Sequence, residues 1–118
     1  MISEPHYMTL NDTVSTGAFR ILQEALTNVV RHSGAHEVTI LLRKRKNIFT
    51  MEISDDGKGI KKKDLVNPRS IGLTGMHERA HALGGTLVIM GVRGKGTSVT
   101  VTVPLRTVGR DNQKEIDR

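Results

Sequence analysis

Residues 38–54 read VTILLRKRKNIFTMEIS, two alternating runs on either side of a charged turn. In the first arm Val38, Ile40 and Leu42 alternate with Thr39, Leu41 and Arg43, and the run 48–54 forms the second. A period of two places alternate side chains on opposite faces, so the stretch predicts two strands joined as an antiparallel hairpin. The same pattern returns downstream. Residues 86–90 and 97–103 form a second pair around Gly94-Lys95-Gly96, with Val99, Val101 and Val103 facing away from Ser98, Thr100 and Thr102. Upstream the period changes. Asp12 is placed to cap a helix over residues 12–33, which Gly34 ends. At about 100° per residue, Phe19, Leu22, Ala25, Leu26, Val29 and Val30 fall in one arc and are expected to face the core. Glu24, Asn28, Arg31 and His32 fall on the other side. A shorter helix is predicted over 75–83, closed by Gly84-Gly85. Hairpins with helices stacked on one face predict an α+β two-layer sandwich.

With 118 residues the chain holds one domain at most, here expected over residues 1–105 with its core in 10–105 and a polar, aperiodic tail over 106–118. The longest apolar run, Leu87 to Met90, is far short of a bilayer span. The opening Met1-Ile2-Ser3-Glu4-Pro5 has neither the basic nor the apolar region of a signal peptide. Absence of Cys excludes a disulfide framework and thiol chemistry, and points to a reducing compartment. The net charge of +6 gathers in Arg43-Lys44-Arg45-Lys46 and in Lys58 with Lys61-Lys62-Lys63. Solvated charge at a turn is the expected role of the first cluster. A nucleic-acid module would explain both, yet Phe19, Phe49 and Tyr7 are few platforms for stacked bases.

Several motifs carry possible chemistry. Gly94-Lys95-Gly96 lacks the flanking residues of a phosphate-cradling P-loop, and no dinucleotide fingerprint is complete. His77-Glu78-Arg79-Ala80-His81 has the spacing of a zinc-protease helix. A catalytic zinc needs a third protein ligand, and the later carboxylates, Asp111, Glu115 and Asp117, fall in the tail, so an ordinary helix with exposed His is expected. Glu24 and Asn28 stand one turn apart, with Arg31 and His32 a turn further. That strip offers oxygen donors and cations suited to a magnesium-bound polyphosphate, or else is a plain solvated face. Asp55-Asp56-Gly57-Lys58-Gly59-Ile60 lies at a strand end. A carboxylate there suits an exocyclic amine such as adenine N6, with glycines admitting a flat base; a plain tight turn is the alternative. Gly72-Leu73-Thr74-Gly75-Met76 precedes the second helix. It offers either free N–H groups to phosphate, with Leu73 and Met76 against a base or ribose, or a glycine-hinged loop packing both side chains inward.

Taken in order, four segments resemble the boxes of one family. They are Leu22-Gln23-Glu24-Ala25-Leu26-Thr27-Asn28-Val29-Val30-Arg31-His32-Ser33, Asp55-Asp56-Gly57-Lys58-Gly59-Ile60, Gly72-Leu73-Thr74-Gly75-Met76-His77-Glu78-Arg79 and Gly94-Lys95-Gly96-Thr97. They are similar to the N, G1, G2 and G3 boxes of the ATP-binding domain of sensor histidine kinases, of the superfamily shared with gyrase, the heat-shock chaperone and MutL. The wording is most similar to kinases that partner NarL-type response regulators. The resemblance implies the Bergerat fold, a mixed sheet under helices, with ATP between the first long helix and a lid. It implies that Asn28 binds Mg²⁺, that Glu24 is the catalytic carboxylate, and that Arg31 and His32 neutralise phosphate. Asp55 would read adenine with Gly57, Gly59 and Ile60 beside it and the Thr97 hydroxyl in support. Gly72, Leu73, Gly75 and Met76 would form the far hinge of the lid, which carries Lys61 to Lys63.

One family element is missing, the phosphoacceptor His followed by an acidic residue, since His6 is followed by Tyr7. The chain is therefore expected to bind ATP and to depend on separate dimerisation helices for an acceptor. The isolated domain is expected to be monomeric and the full-length protein a homodimer. The resemblance implies a cytoplasmic domain, with or without a membrane anchor elsewhere, and no nucleic-acid partner. Two rivals remain: a free-standing anti-sigma-type serine kinase of the same superfamily, and the basic nucleic-acid module, which leaves Asn28 and the Asp-Gly turn without a task.

Overall fold

Asn11, rather than Asp12, starts the first helix. Its backbone is extended (φ −70°, ψ 165°) and its Oδ1 accepts the Val14 N–H at 2.8 Å, the geometry of an N-cap. Asp12 is the first helical residue, where a negative charge suits the helix dipole. A computed structural model describes residues 2–3, 10–59, 73–92 and 94–105. Within them the chain forms β1 (Ile2–Ser3), α1 (Asp12–Asn28), a π-helical segment (Val29–Ser33), β2 (Val38–Arg45), β3 (Ile48–Asp55), α2 (Leu73–Ala82), β4 (Thr86–Val92) and β5 (Gly96–Pro104). The expected single helix over 12–33 thus changes its hydrogen-bonding pattern after Asn28. It does end at Gly34, whose φ of 65° suits a residue without Cβ.

The sheet has the order β1-β2-β3-β5-β4, with β1 parallel to β2 and every other pair antiparallel. Register follows the hydrophobic alternation. Ile40 faces Ile53 across β2 and β3, while Met51 and Ile53 face Val101 and Val99 across β3 and β5. These residues, with Phe49 and Val103, make the buried face. The β2–β3 turn is tight, both Lys46 and Asn47 having positive φ. Such a turn matches the strand twist and suits Asn better than Lys. Lys44, Arg45 and Lys46 are exposed around it, as expected of charge at a turn.

The helices cover the buried face through a stripe that shares Ala25 with the expected arc, with Leu22 and Leu26 packed against it, but is turned away from Phe19 and Val30. Val14, Ala18, Ile21 and Ala25 are buried, whereas Phe19 is 57% and Val30 84% exposed. The small residues win because α1 must come close to its neighbours. At Gly17 an added Cβ would stand 2.9 Å from both terminal carbons of Leu83. That contact joins the first half of α1 to the residue that follows α2. α2 begins two residues before the predicted start and buries Leu73, Met76 and Ala80. It closes through Gly84 N–H to His81 O and Gly85 N–H to Ala80 O, both 2.9 Å, in a glycine C-cap.

This topology gathers particular termini. β3 ends at Asp55, β5 starts at Gly96, β2 starts at Val38 and β4 ends at Val92, all at one end of the sheet. The end of α1 reaches that edge through residues 34–37.

Candidate functional site

Asp55 is the last residue of β3 and is half-buried. Its Oδ1 accepts the Gly57 N–H at 2.8 Å, which folds the chain back and fixes the carboxylate's orientation. Gly57 is buried in this turn, and Gly59 has a φ of 85°. The β4–β5 turn lies against it. A Cβ on Gly96 would overlap the Asp55 carbonyl oxygen, and the Gly94 N–H donates to the Lys58 carbonyl at 2.9 Å. Thr97 follows Gly96 at only 9% exposure, and the pairing of Ser54 with Ser98 continues to set Thr97 beside Asp55. Two segments about 40 residues apart in the chain are thereby joined at Asp55 itself.

Asp56 ties in a third segment. Its Oδ1 accepts the backbone N–H of His36 at 2.8 Å and of Glu37 at 3.0 Å, and its own N–H donates to the Glu37 carbonyl at 3.3 Å. The bonds from Glu37 and then His36 hold the carboxyl below the ordinary carboxylate pKa of 3.8. The sign follows: this contribution is in place above the ordinary value and is lost as pH falls through the lowered one. Residues 36 and 37 are the last steps of the loop from the α1 helix into β2. Sequence reasoning gave Asp56 no role of its own. An Asp before Gly signals a turn, but nothing local reveals a partner 19 and 20 residues upstream.

Asn28 ends α1 and is half-buried, and Glu24, one turn earlier, is half-buried on the flank of the buried stripe. Arg31 lies exposed in the π-helical segment that follows. Such segments are uncommon and often mark functional positions. His32 belongs to the same segment by its backbone, while its side chain, like Ile60, Lys61 to Lys63 and Gly72, lies outside the described residues. Leu73 and Met76 sit in the core, so their side chains follow the packing alternative, whereas Thr74 is exposed and Gly75 half-buried between them. His77, Glu78 and His81 are all exposed on α2.

A family model, that of the histidine kinase-, DNA gyrase B- and HSP90-like ATPases, matches residues 13–107. The chain belongs to this ATPase family. Its matched region holds all four sequence boxes. Among its relatives, sensor histidine kinase LiaS of Bacillus subtilis is 46% identical over 87 residues, covering 74% of this chain and 24% of LiaS. The histidine-protein kinase/phosphatase DegS of the same organism is 35% identical over 106 residues, covering 88% of this chain and 28% of DegS. The chain thus spans about a quarter of the length of these relatives. The solved histidine kinase domain of the Erythrobacter litoralis EL346 blue-light activated histidine kinase superposes with a TM-score of 0.69 at 23% identity, covering 79% of this chain and 45% of that one. The ATPase-family fold, a mixed sheet with helices on one face, is therefore the fold of this chain. Among the described residues no helix is long and apolar enough to cross a membrane.

Proposed function

We propose that this chain is the ATP-binding catalytic domain of a sensor histidine kinase, and that Asp55, Thr97 and Asn28 belong to one nucleotide cleft. The observation that supports it most is the convergence at one sheet end of the Asp55 turn, the Gly96 turn and the loop leaving the Asn28 helix. In this reading Asp55 accepts a hydrogen bond from adenine N6 and Thr97 supports the same wall through its hydroxyl. Gly57 and Gly59 leave room for the base, with Ile60 beside it. Gly72, Leu73, Gly75 and Met76 form the hinge of the lid, the last three through α2. Arg31 and His32 meet phosphate oxygens.

The donor set of α1 fits a hard cation. Asn28 offers a carbonyl oxygen and Glu24 a carboxylate, the oxygen ligands Mg²⁺ takes, with Asn28 assigned to the metal and Glu24 to the acceptor. Bound Mg²⁺ would neutralise charge on the phosphate oxygens. Glu24 orients the acceptor imidazole or takes its proton as the γ-phosphoryl group moves in line from ATP to the ring nitrogen and ADP leaves. That imidazole belongs to dimerisation helices outside this chain, in a full-length homodimer that hands the phosphoryl group to a NarL-type response regulator. The relatives' names speak for a histidine kinase rather than an anti-sigma serine kinase.

Calorimetric titration with ATP, with and without Mg²⁺, tests the assignment. Wild type should bind more tightly with the metal. Asn28→Ala should remove most of that gain, about tenfold in affinity, or roughly 1.4 kcal/mol. An Asn28→Ala protein indistinguishable from wild type under both conditions removes Asn28 from the site.

A further inference from the structure

Asp56 lies between the proposed adenine residue and a buried glycine, yet its carboxylate is turned away from its own turn. Both N–H groups it accepts come from the residues that lead into the neighbouring strand β2, 19 and 20 residues upstream. We propose that Asp56 is a positioning residue of the ATP cleft, joining the turn that carries Asp55 to the loop by which the Asn28 helix leaves the site. The proposal rests on the ATP-binding reading above.

Three features support it. Four residues, 34–37, separate the π-helical segment from β2, so little slack lies between the clamped amides and the end of the Asn28 helix. The loop has a thin packing base: a Cβ on Gly34 would meet nothing within 4 Å, and His36 and Glu37 are exposed. The tie is also double. Asp56 donates to the Glu37 carbonyl through its backbone, carrying the β2–β3 ladder one pair beyond Val38 and Asp55, and accepts from the loop through its side chain, which extends that hold to His36. A turn-capping Asp would accept from its own neighbours, as Asp55 does from Gly57.

The consequence depends on ligand length. Adenosine occupies only the Asp55 side, whereas Mg-ATP reaches from Asp55 to Asn28 and senses the spacing of the two walls. Loss of the tie converts a preorganised spacing into one that the ligand must select, and only the longer ligand bears that cost. Titrations of the ¹⁵N-labelled chain, followed by amide shifts, compare adenosine with Mg-ATP on wild type, Asp56→Ala and Asp56→Asn. Asp56→Ala should weaken Mg-ATP about tenfold and adenosine less than about twofold. Asp56→Asn keeps an oxygen acceptor and should return Mg-ATP to within about threefold of wild type. Where Asp56→Ala does not fold, Asp56→Ser takes its place, its shorter side chain withdrawing the acceptor from His36 and Glu37.

Equal weakening of both ligands overturns the proposal, because it marks damage to the adenine wall alone. So does wild-type Mg-ATP affinity in Asp56→Ala, or an Asn variant as impaired as the Ala one. Asp55→Asn in the same series separates this failure from failure of the underlying reading. If Asp55→Asn weakens both ligands and Asp56→Ala neither, only the joining role is lost. If Asp55→Asn changes nothing, the adenine assignment falls with it.

Discussion

Asp55→Asn should reduce ATP affinity by roughly 30- to 100-fold while leaving the fold intact. One bond is already in place, Asp55 Oδ1 accepting the Gly57 N–H at 2.8 Å. Asn can keep that bond, because its single amide oxygen takes the position of Oδ1, and the turn survives. The other carboxylate oxygen is then replaced by an NH₂ group. In the proposed pose that group faces the adenine N6 amine, donor against donor. One hydrogen bond to a charged acceptor is lost and two donors are left unpaired, together about 2–3 kcal/mol. Base choice should shift in the same variant. A carboxylate rejects the O6 acceptor of guanine, whereas an amide NH₂ donates to it, so the preference for ATP over GTP should collapse. Titration of wild type and Asp55→Asn with both nucleotides is the check, and undiminished ATP affinity with unaltered selectivity would falsify the role given to Asp55.

Gly96→Ala should be the most destabilising single change considered, and its effect begins before any ligand binds. Two costs add at this position. With φ at 105° the backbone is where a side chain is rarely accommodated, and the added Cβ would overlap the Asp55 carbonyl oxygen. Neither cost can be relieved by turning a side chain, because the obstructing atoms belong to the backbone of β3. The expected loss is about 3–4 kcal/mol, a drop of roughly 10–20 °C in Tm for a domain of this size. Thermal unfolding by circular dichroism measures it. Gly94→Ala is the control: its φ of 78° is also positive, but a Cβ there would meet nothing within 4 Å, so it should cost about 1 kcal/mol.

Much of this architecture was legible because alternation is a strong signal. Both hairpins and the two helices stand within about two residues of where the pattern put them. What alternation cannot reveal is which residues of a helix face inward when small side chains do the packing. Ala25, Leu22 and Leu26 of the predicted arc do meet the core, but Phe19 and Val30 drew it too far, and Val14, Ala18 and Ile21 complete the buried line where α1 approaches Leu83 at a glycine. The cap moved from Asp12 to Asn11 for a local reason, since both side chains can accept and only the extended residue is placed to do so. β1, two residues paired with β2, carries no periodicity of its own. At the candidate site, residue type and spacing single out the carboxylate and glycines of residues 55–59. The hold of Asp56 on residues 36 and 37 exists only in three dimensions, and so does the crossing of Gly96 over Asp55.

The strand order β1-β2-β3-β5-β4 also governs when this molecule becomes competent. Among the described strands β5 is the last to be synthesised, yet it lies between β3 and β4, so β4 has no described neighbour to join until β5 arrives. The same late strand brings Gly96 and Thr97 to Asp55. A ribosome-bound chain ending before residue 96 therefore holds an incomplete sheet and, in the proposed reading, an unfinished nucleotide wall, so that scaffold and site mature in a single event.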